Sequence, residues 1–270
     1  GYMDRRSVNL INLRKFPQYT SYVHTRAEFS FDNTIPKGMN MVEGTRVKVF
    51  YEYNPSFSQI NESFDKFFFD VRNYQPISKE IIFATRLSGG FFGGRSPKRF
   101  MLGGMDNNFT QQAGIGNPPL DVSLERENPD ILFHEFATNL RGYGFNQVAG
   151  KNYILFNAEV RVPIVKYLLQ NSISSNFFKN LQFTAFGDIG SAWNQFAPWK
   201  RRNDLNTSII EVPPFTAIVN NFKNPWLASY GLGARTLFLG YYLKVDMAWT
   251  VEDFIVSEKP RWVISIGYDF

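Results

Sequence analysis

Residues Tyr241–Thr250, which read YYLKVDMAWT, show clearly the pattern on which the fold prediction for this chain rests. Its bulky apolar residues recur at every second position, and the charged residues Lys244 and Asp246 alternate with them. Successive side chains of a β-strand point to opposite faces of the sheet. This period of two therefore predicts a strand with one apolar face and one charged face.

The same alternation recurs along the chain of 270 residues and predicts about nine strands. No stretch keeps the apolar spacing of an amphipathic helix for long. A weaker candidate strand covers Val8–Arg14. The predicted strands are Val23–Phe31, Arg46–Tyr53, Lys66–Arg72, Glu80–Ser88, Tyr153–Val162, Leu181–Gly190, Leu227–Phe238, Tyr241–Thr250 and Trp262–Phe270.

The composition limits the class of protein. Aromatic residues make up 17% of the chain and charged residues 20%, and the mean hydropathy is -0.26. No run of about eighteen apolar residues occurs, which excludes a helical membrane protein. Many aromatic residues at a low mean hydropathy are typical of a transmembrane β-barrel, whose strands are apolar on one face only. A soluble β-sandwich or a lipocalin-like barrel is the alternative.

Aromatic residues near the strand ends favour the membrane barrel, because they suit the two membrane interfaces. The opposite strand faces carry charges of both signs, which can pair across a lumen. We therefore predict an all-β, antiparallel transmembrane β-barrel with lipid outside and a charged interior. The aromatic residues in question are Tyr53, Tyr241, Trp249, Trp262 and Phe270.

Signatures of other functions are weak. The net charge is only +5, and basic residues are interspersed with acidic ones, so we expect no nucleic-acid binding. The chain has no cysteine, and its histidines, His24 and His134, lack the spacing of a metal site. Gly89–Gly94 is not followed by the Lys-Ser/Thr of a phosphate-binding loop. We therefore expect no metal, no cofactor and no enzymatic activity.

A long segment rich in Gly, Asn and Pro, about 89–151, separates the fourth predicted strand from the fifth. Loops of this length are uncommon unless they are functional or disordered. This loop carries Leu140-Arg141-Gly142-Tyr143. We predict that it folds inward and that Arg141 pairs with Asp188 and Glu159, because a guanidinium can bind two carboxylates through its planar fork. An arginine on a solvated extracellular loop is the alternative.

The chain carries an ordered set of short motifs: LGG at 102–104, LRGY at 140–143, AEVRVP at 158–163, FGDIG at 186–190, GLGAR at 231–235 and YDF at 268–270. Together, over Arg99–Phe270, they resemble the outer-membrane assembly-factor superfamily. This is the BamA and TamA type, also called bacterial surface antigens. Residues Val23–Gly90 match the family more loosely. The form of Leu102–Asn107 and the long insert before Arg141 look like those of Bacteroidetes-type members.

The resemblance implies a barrel of about sixteen strands, of which this chain, 1–270, would be the C-terminal portion. The N-terminal strands and a periplasmic module of POTRA repeats are expected to be absent from this chain. The resemblance also implies that the Leu140–Tyr143 motif enters the lumen. There it would dock on a wall formed by Glu159, Phe186, Asp188 and Gly190.

The resemblance further assigns the last strand to a lateral seam and to the signal by which the protein is itself inserted. Gly267 would let this strand kink, so that the seam opens. The residues assigned in this way are Trp262, Ile264, Ile266, Gly267, Tyr268 and Phe270.

The implied function is the insertion or translocation of proteins through that seam at the outer membrane of Gram-negative bacteria. The implied partners are outer-membrane lipids and lipopolysaccharide, client outer-membrane or exported proteins, and accessory lipoproteins. Two alternatives stay open. The barrel could anchor an N-terminal enzymatic or propeller module, or it could be a passive porin.

Overall fold

A computed structural model describes residues 23–56, 63–78, 80–110, 135–165, 175–194, 197–198, 207–212, 215–220 and 224–270. The candidate strand Val8–Arg14 and His134 lie outside these residues. Within the described residues, a short α-helix covers Asn176–Lys179. Among the residues that the structure describes, no helix has the length and apolar character needed to cross a membrane.

The strands are numbered in chain order. They are β1 (Thr25–Asp32), β2 (Ile35–Gly38), β3 (Met41–Asn54), β4 (Phe64–Ser78), β5 (Ile81–Gly94), β6 (Phe100–Leu102), β7 (Glu135–Ala137), β8 (Val148–Gly150), β9 (Asn152–Val162), β10 (Gln182–Trp193), β11 (Thr207–Val212), β12 (Phe215–Asn220), β13 (Leu227–Phe238), β14 (Tyr241–Glu252), β15 (Ile255–Val256) and β16 (Arg261–Ile266).

Eleven strands form one large sheet. Nine of them are successive antiparallel neighbours, in the order β1, β3, β4, β5, β9, β10, β13, β14 and β16. The short strands β2 and β15 pair with β3 and β14, and β11 and β12 pair with each other in a separate two-stranded sheet. This meander confirms the predicted all-β, antiparallel barrel-type fold, and its nine long neighbours correspond to the nine predicted strands.

The two faces of the sheet show the reverse of the burial in a water-soluble protein: the polar face is buried and the apolar face is exposed. Along β14, the polar side chains Lys244 and Asp246 are buried, whereas Tyr241 is 64% exposed. Lipid can solvate such an apolar outer face, whereas water cannot do so without cost. The large apolar residues exposed on the outer face include Phe29, Tyr51, Phe67, Leu87, Phe156, Phe183, Tyr230, Leu232 and Trp262.

The inner face carries charged side chains that pair between neighbouring strands. Asp70 of β4 binds Arg86 of β5 at 2.7 Å, and Arg235 of β13 binds Asp246 of β14 at 2.7 Å. A buried charge destabilises a fold strongly unless a partner of opposite charge replaces the lost water. These cross-strand pairs therefore allow the interior of the sheet to be charged.

The mid-chain loop has a small sheet of its own. β5 continues to Gly94, beyond the predicted strand end at Ser88, so the loop begins later than the predicted 89–151. Within the loop, β6 pairs in parallel with β7 and antiparallel with β8. Phe100 of β6 packs against Tyr153 on the inner face of β9, with ring centroids 4.7 Å apart. The loop therefore lies against the inner face of the large sheet, which forms the barrel wall.

The last strand departs from the prediction. We predicted alternation from Trp262 to Phe270, but β16 ends at Ile266. Gly267 has a φ of 115°, a backbone conformation that favours glycine, and the chain turns there. Phe270, which we predicted among the outward-facing interface aromatics, is instead 9% exposed and packs in an interior cluster with Tyr74. That placement was wrong because the turn at Gly267 interrupts the alternation.

Candidate functional site

The loop tip that carries Arg141 is held by an earlier part of the same loop. The backbone N–H groups of Asn139 and Leu140 donate to the carbonyl oxygen of Gly104 at 2.9 and 3.2 Å. Gly142 has a φ of 82°, and a Cβ atom there would lie 2.9 Å from Cγ2 of Thr250 on β14. Glycine is therefore required where the tip meets the wall.

The Arg141 side chain is 2% exposed and binds two carboxylates. Its Nε and Nη2 atoms donate to Oδ2 and Oδ1 of Asp188 at 2.7 and 2.8 Å. Nη1 donates to Oε2 of Glu159 at 2.8 Å. The guanidinium also lies over the ring of Phe186, 3.6 Å from its centroid. The planar fork of the arginine thus has a bidentate partner, a second carboxylate and an aromatic face.

The strand register explains why these wall residues meet. Phe186 of β10 lies opposite Glu159 of β9 and opposite Gly231 of β13. Asp188 is two residues further along β10 and so shares the face of Phe186. A Cβ atom at Gly231 would lie 2.7 Å from Cζ of Phe186. The glycine therefore leaves room for the ring on which the Arg141 guanidinium lies.

Both carboxylates have further hydrogen-bond partners. Arg161 Nε donates to Oε1 of Glu159 at 2.9 Å, and Asn157 Nδ2 donates to Oδ1 of Asp188 at 2.8 Å. Burial lowers the pKa of Arg141, but the charges of Asp188 and Glu159 more than offset this and raise that pKa well above its usual value. The guanidinium therefore stays charged, and the cluster works as a permanent clamp between loop and wall.

Gly190 and Tyr143 mark two further contacts between loop and wall. A Cβ atom at Gly190 would lie 3.2 Å from Cδ2 of Leu102, so the glycine lets β6 approach β10. The Tyr143 hydroxyl lies 2.9 Å from the carbonyl oxygens of Ala228 and Val251, and it donates its single proton to one of them. Burial raises the pKa of Tyr143, which keeps the hydroxyl protonated.

A second ion cluster, which the sequence did not predict, fastens the loop. Lys66 Nζ of β4 lies 2.5 Å from Oε1 of Glu135 on β7 and 2.8 Å from Oε2 of Glu52 on β3. The alternation placed Lys66 and Glu52 on polar strand faces. No signal linked either residue to Glu135, because β7 lies inside a loop without regular periodicity.

A third ion cluster holds the turned chain end inside the wall, and it was also missed. Arg235 binds Asp246 through Nη1 at 2.7 Å and Asp269 through Nε at 2.9 Å. Lys244 Nζ lies 3.4 Å from the other carboxylate oxygen of Asp269. Asn40 Nδ2 donates to Asp269 at 2.8 Å. The alternation could not reveal this cluster, since Asp269 lies beyond the end of β16.

Among the predicted seam residues, Phe270 lies next to the Arg141 cluster, because its carbonyl oxygen accepts a hydrogen bond from Nη2 of Arg161 at 3.1 Å. Trp262 is 60% exposed and Tyr268 is 65% exposed, while Ile264 and Ile266 are half-buried. Their assignment to an insertion signal stays a prediction. In the described part of the chain, no group of His, Cys, Asp or Glu side chains is arranged to hold a metal ion.

Comparison with protein families matches residues 12–270 to the Omp85 superfamily domain. The match therefore extends over both the sheet and the loop that carries Arg141. No curated protein matched the chain in the sequence comparison.

Proposed function

Because the chain belongs to the Omp85 superfamily, we propose that it inserts or translocates proteins at the bacterial outer membrane through a lateral seam at β16. The family as a whole works in the insertion and translocation of outer-membrane proteins. The seam and its use by this chain are our proposal. The proposed function requires no covalent chemistry.

The short pairing of the last strand is the observation that carries the proposal. β16 pairs with β14 only over Leu243–Ala248, whereas β13 pairs with β14 over the longer stretch Tyr241–Val251. β16 is therefore joined to β14 by fewer backbone hydrogen bonds than β13 is. Such a strand is the part of a barrel wall that separates most easily.

The bilayer supplies the driving force of the proposed mechanism. An unpaired strand edge in hydrocarbon costs several kcal/mol for each unsatisfied backbone group. A client segment that adds to the edge of β16 satisfies those groups by β-augmentation. The proposed partners are therefore extended segments of outer-membrane or exported proteins, together with outer-membrane lipids and lipopolysaccharide. Accessory lipoproteins belong to the same proposal.

The Arg141 clamp has a separate role in this proposal. It fixes the loop against β9 and β10, on the opposite side of β13 and β14 from the last strand. A rigid wall at that place lets β16 move without collapse of the interior. The clamp is therefore proposed to support the seam and not to bind the client.

Depletion of the protein followed by a quantitative outer-membrane proteome tests the proposal. We expect lower levels of several integral β-barrel or exported proteins, restored by the wild-type protein and by Arg46→Ala but not by Arg141→Ala. Arg46 is the control because its ion pair is exposed. An unchanged proteome would overturn the proposal. A defect in solute uptake alone would also overturn it, in favour of a porin.

A further inference from the structure

The short helix Asn176–Lys179, in the connection between β9 and β10, lies on the outer face of the barrel wall. The hydroxyl of Thr236 on β13 donates to the carbonyl oxygen of Phe177 at 2.7 Å. Thr236 follows Arg235, which is buried on the inner face, so the Thr236 side chain points outward. It is nevertheless only 7% exposed, because the helix packs against β13 there. The connection therefore leaves the barrel rim and covers part of the outside of β13.

The helix presents two phenylalanines away from the wall. Phe177 and Phe178 are 38% and 54% exposed, and their rings pack edge to face with centroids 5.2 Å apart. The backbone N–H of Lys179 donates to Ser175 at 2.9 Å, and that of Leu181 donates to Phe178 at 3.1 Å. These bonds fix the turn that carries both rings. Exposed apolar side chains that lie together in this way mark a contact with something other than water.

The turn between β13 and β14 carries a second signal of the same kind. It consists of Leu239 and Gly240, whose φ angles are 50° and 84°. A two-residue turn with both φ angles positive favours Asn-Gly, because a leucine meets steric strain in the left-handed region. Leu239 is also 81% exposed. A leucine at this position is unfavourable in water on both counts, whereas contact with lipid removes the second.

The helix and this turn lie at the same end of the barrel wall. Gln182, the first residue of β10, pairs with Arg235 near the end of β13. β9 runs from the mid-chain loop to this end, so the loop is attached at the opposite end of the wall. We call the exposed apolar side chains at this end the rim patch. They are Phe177, Phe178, Phe183, Phe238, Leu239 and Tyr241.

The rim patch continues the apolar outer face of the wall. Phe238 pairs with Tyr241 and shares a face of β13 with Tyr230 and Leu232, which are exposed in the middle of that face. Aromatic residues at strand ends suit the boundary between lipid headgroups and acyl chains. Lys179 is exposed at the end of the helix, and its long stem lets the ammonium reach lipid phosphates beside inserted apolar neighbours. An apolar patch with a cation at its border fits the surface of a phospholipid leaflet.

We propose that the rim patch is a membrane anchor: the helix Asn176–Lys179 and Leu239 insert into the phospholipid leaflet at this end of the barrel. Acyl chains contact the two phenylalanine rings and the leucine, and phosphate groups of the same leaflet bind Lys179. The anchor adds an element outside the strands to the lipid contact of the wall. It requires that the barrel lies in a membrane and does not depend on the proposed seam.

Fluorescence quenching by lipids tests the anchor in the full protein. The chain has no cysteine of its own, so Phe178→Cys and Leu239→Cys can each carry one bimane label. The labelled proteins are reconstituted in vesicles of phosphatidylcholine and phosphatidylglycerol, with and without bromine on the acyl chains. Bromine quenches only a fluorophore that it contacts. We expect both labels to lose fluorescence in the brominated vesicles, by a fraction that approaches the loss at Leu232→Cys in the middle of the outer face.

The matched control is a label at Glu258→Cys. Glu258 is exposed between β15 and β16, at the other end of the wall, and we expect its label to lose no fluorescence. If the labels at positions 178 and 239 behave like this control, the anchor is overturned. Quenching at position 239 alone would overturn insertion of the helix. A label at position 178 that lipid does not quench, but that is shielded from iodide in native outer membranes, would assign the patch to a protein partner and also overturn the anchor.

The charge of Lys179 gives an independent measurement. In the Phe178→Cys protein, Lys179→Glu replaces the cation by an anion that phosphatidylglycerol repels. We expect less quenching than with Lys179 in vesicles that contain phosphatidylglycerol, and a smaller difference in vesicles of phosphatidylcholine alone. Lys179→Gln, which removes the charge without reversing it, should give an intermediate value. Equal quenching in all three proteins would overturn the contact between Lys179 and lipid phosphates.

Discussion

Two arginine–aspartate pairs in this protein have the same Nε–Oδ2 distance and different surroundings. Arg141 Nε lies 2.7 Å from Oδ2 of Asp188 inside the wall, and Arg46 Nε lies 2.7 Å from Oδ2 of Asp32 at the end of β1. The side chains of the first pair are 2% and 0% exposed, whereas those of the second are 44% and 46% exposed. The distance between the atoms therefore does not distinguish the pairs; their burial does.

The difference shows which contacts of the loop matter for stability. Water replaces a lost partner at an exposed pair, and such pairs contribute little to the free energy of unfolding. Water does not readily replace a partner inside the wall, so a lost arginine leaves buried carboxylates uncompensated. The buried clamp is therefore an interaction on which the whole docking of the loop depends.

The largest expected loss of stability comes from Arg141→Ala. It leaves Asp188 and Glu159 buried with one partner fewer, and we expect the free energy of unfolding to fall by about 3 to 5 kcal/mol. Arg141→Lys keeps the charge but not the fork, so its loss should be intermediate. Denaturant unfolding of the protein in lipid vesicles measures both variants. A loss below about 1 kcal/mol for Arg141→Ala would mean that the buried pair behaves like an exposed one.

A smaller effect is expected from Asp269→Asn at the turned chain end. Burial acts to raise the pKa of Asp269, but the charges of Arg235, Lys244 and Arg161 outweigh it and hold that pKa well below its usual value. Loss of its charged hydrogen bonds should cost about 1.5 to 3 kcal/mol of the free energy of unfolding at neutral pH.

The contribution of Asp269 to the free energy of unfolding depends on pH. A carboxyl group whose pKa is lowered by folding contributes stability that is complete above its unfolded pKa of about 4. That contribution is lost as the pH falls towards the folded pKa. We therefore expect the difference in stability between the wild type and Asp269→Asn to shrink below about pH 4. A difference that stays constant down to about pH 2 would contradict a charged role for Asp269.

Tyr143→Phe tests a neutral contact at the same docking site as Arg141. The change removes a hydroxyl that binds the carbonyl oxygen of Ala228 or Val251 and leaves the ring in place. We expect a loss of about 1 kcal/mol in the free energy of unfolding. The same unfolding measurement applies. A loss as large as that of Arg141→Ala would show that the charge of the arginine is not what makes its contact strong.

The sequence predicted the parts of the molecule that repeat. A period of two requires only that neighbouring residues face opposite sides, so it predicted the nine long strands and their apolar outer faces. It also placed Glu159 and Asp188 on inner faces, where the structure brings them to Arg141. We predicted that pairing from charge, since a buried guanidinium needs carboxylates near it, and the family resemblance implied the same residues.

The unpredicted contacts of the loop and of the chain end involve residues outside the repeat. Glu135 reaches Lys66 across 69 positions of the chain, and Asp269 follows the turn at Gly267. The alternation of β16 pointed Phe270 outward, and one glycine with a positive φ brought it inside. Periodicity carries no information about where a loop or a chain end docks, because docking depends on partners that are distant in sequence.

The smallest expected change in stability comes from Arg46→Ala. Asp32 keeps hydrogen bonds from the backbone N–H and the hydroxyl of Thr34 after the arginine is removed. Water can hydrate the aspartate at this exposed turn, so we expect an unfolding midpoint within experimental error of the wild type. If Arg46→Ala instead lowered stability as much as Arg141→Ala, burial would not separate the two pairs. The clamp would then have no special part in docking the loop.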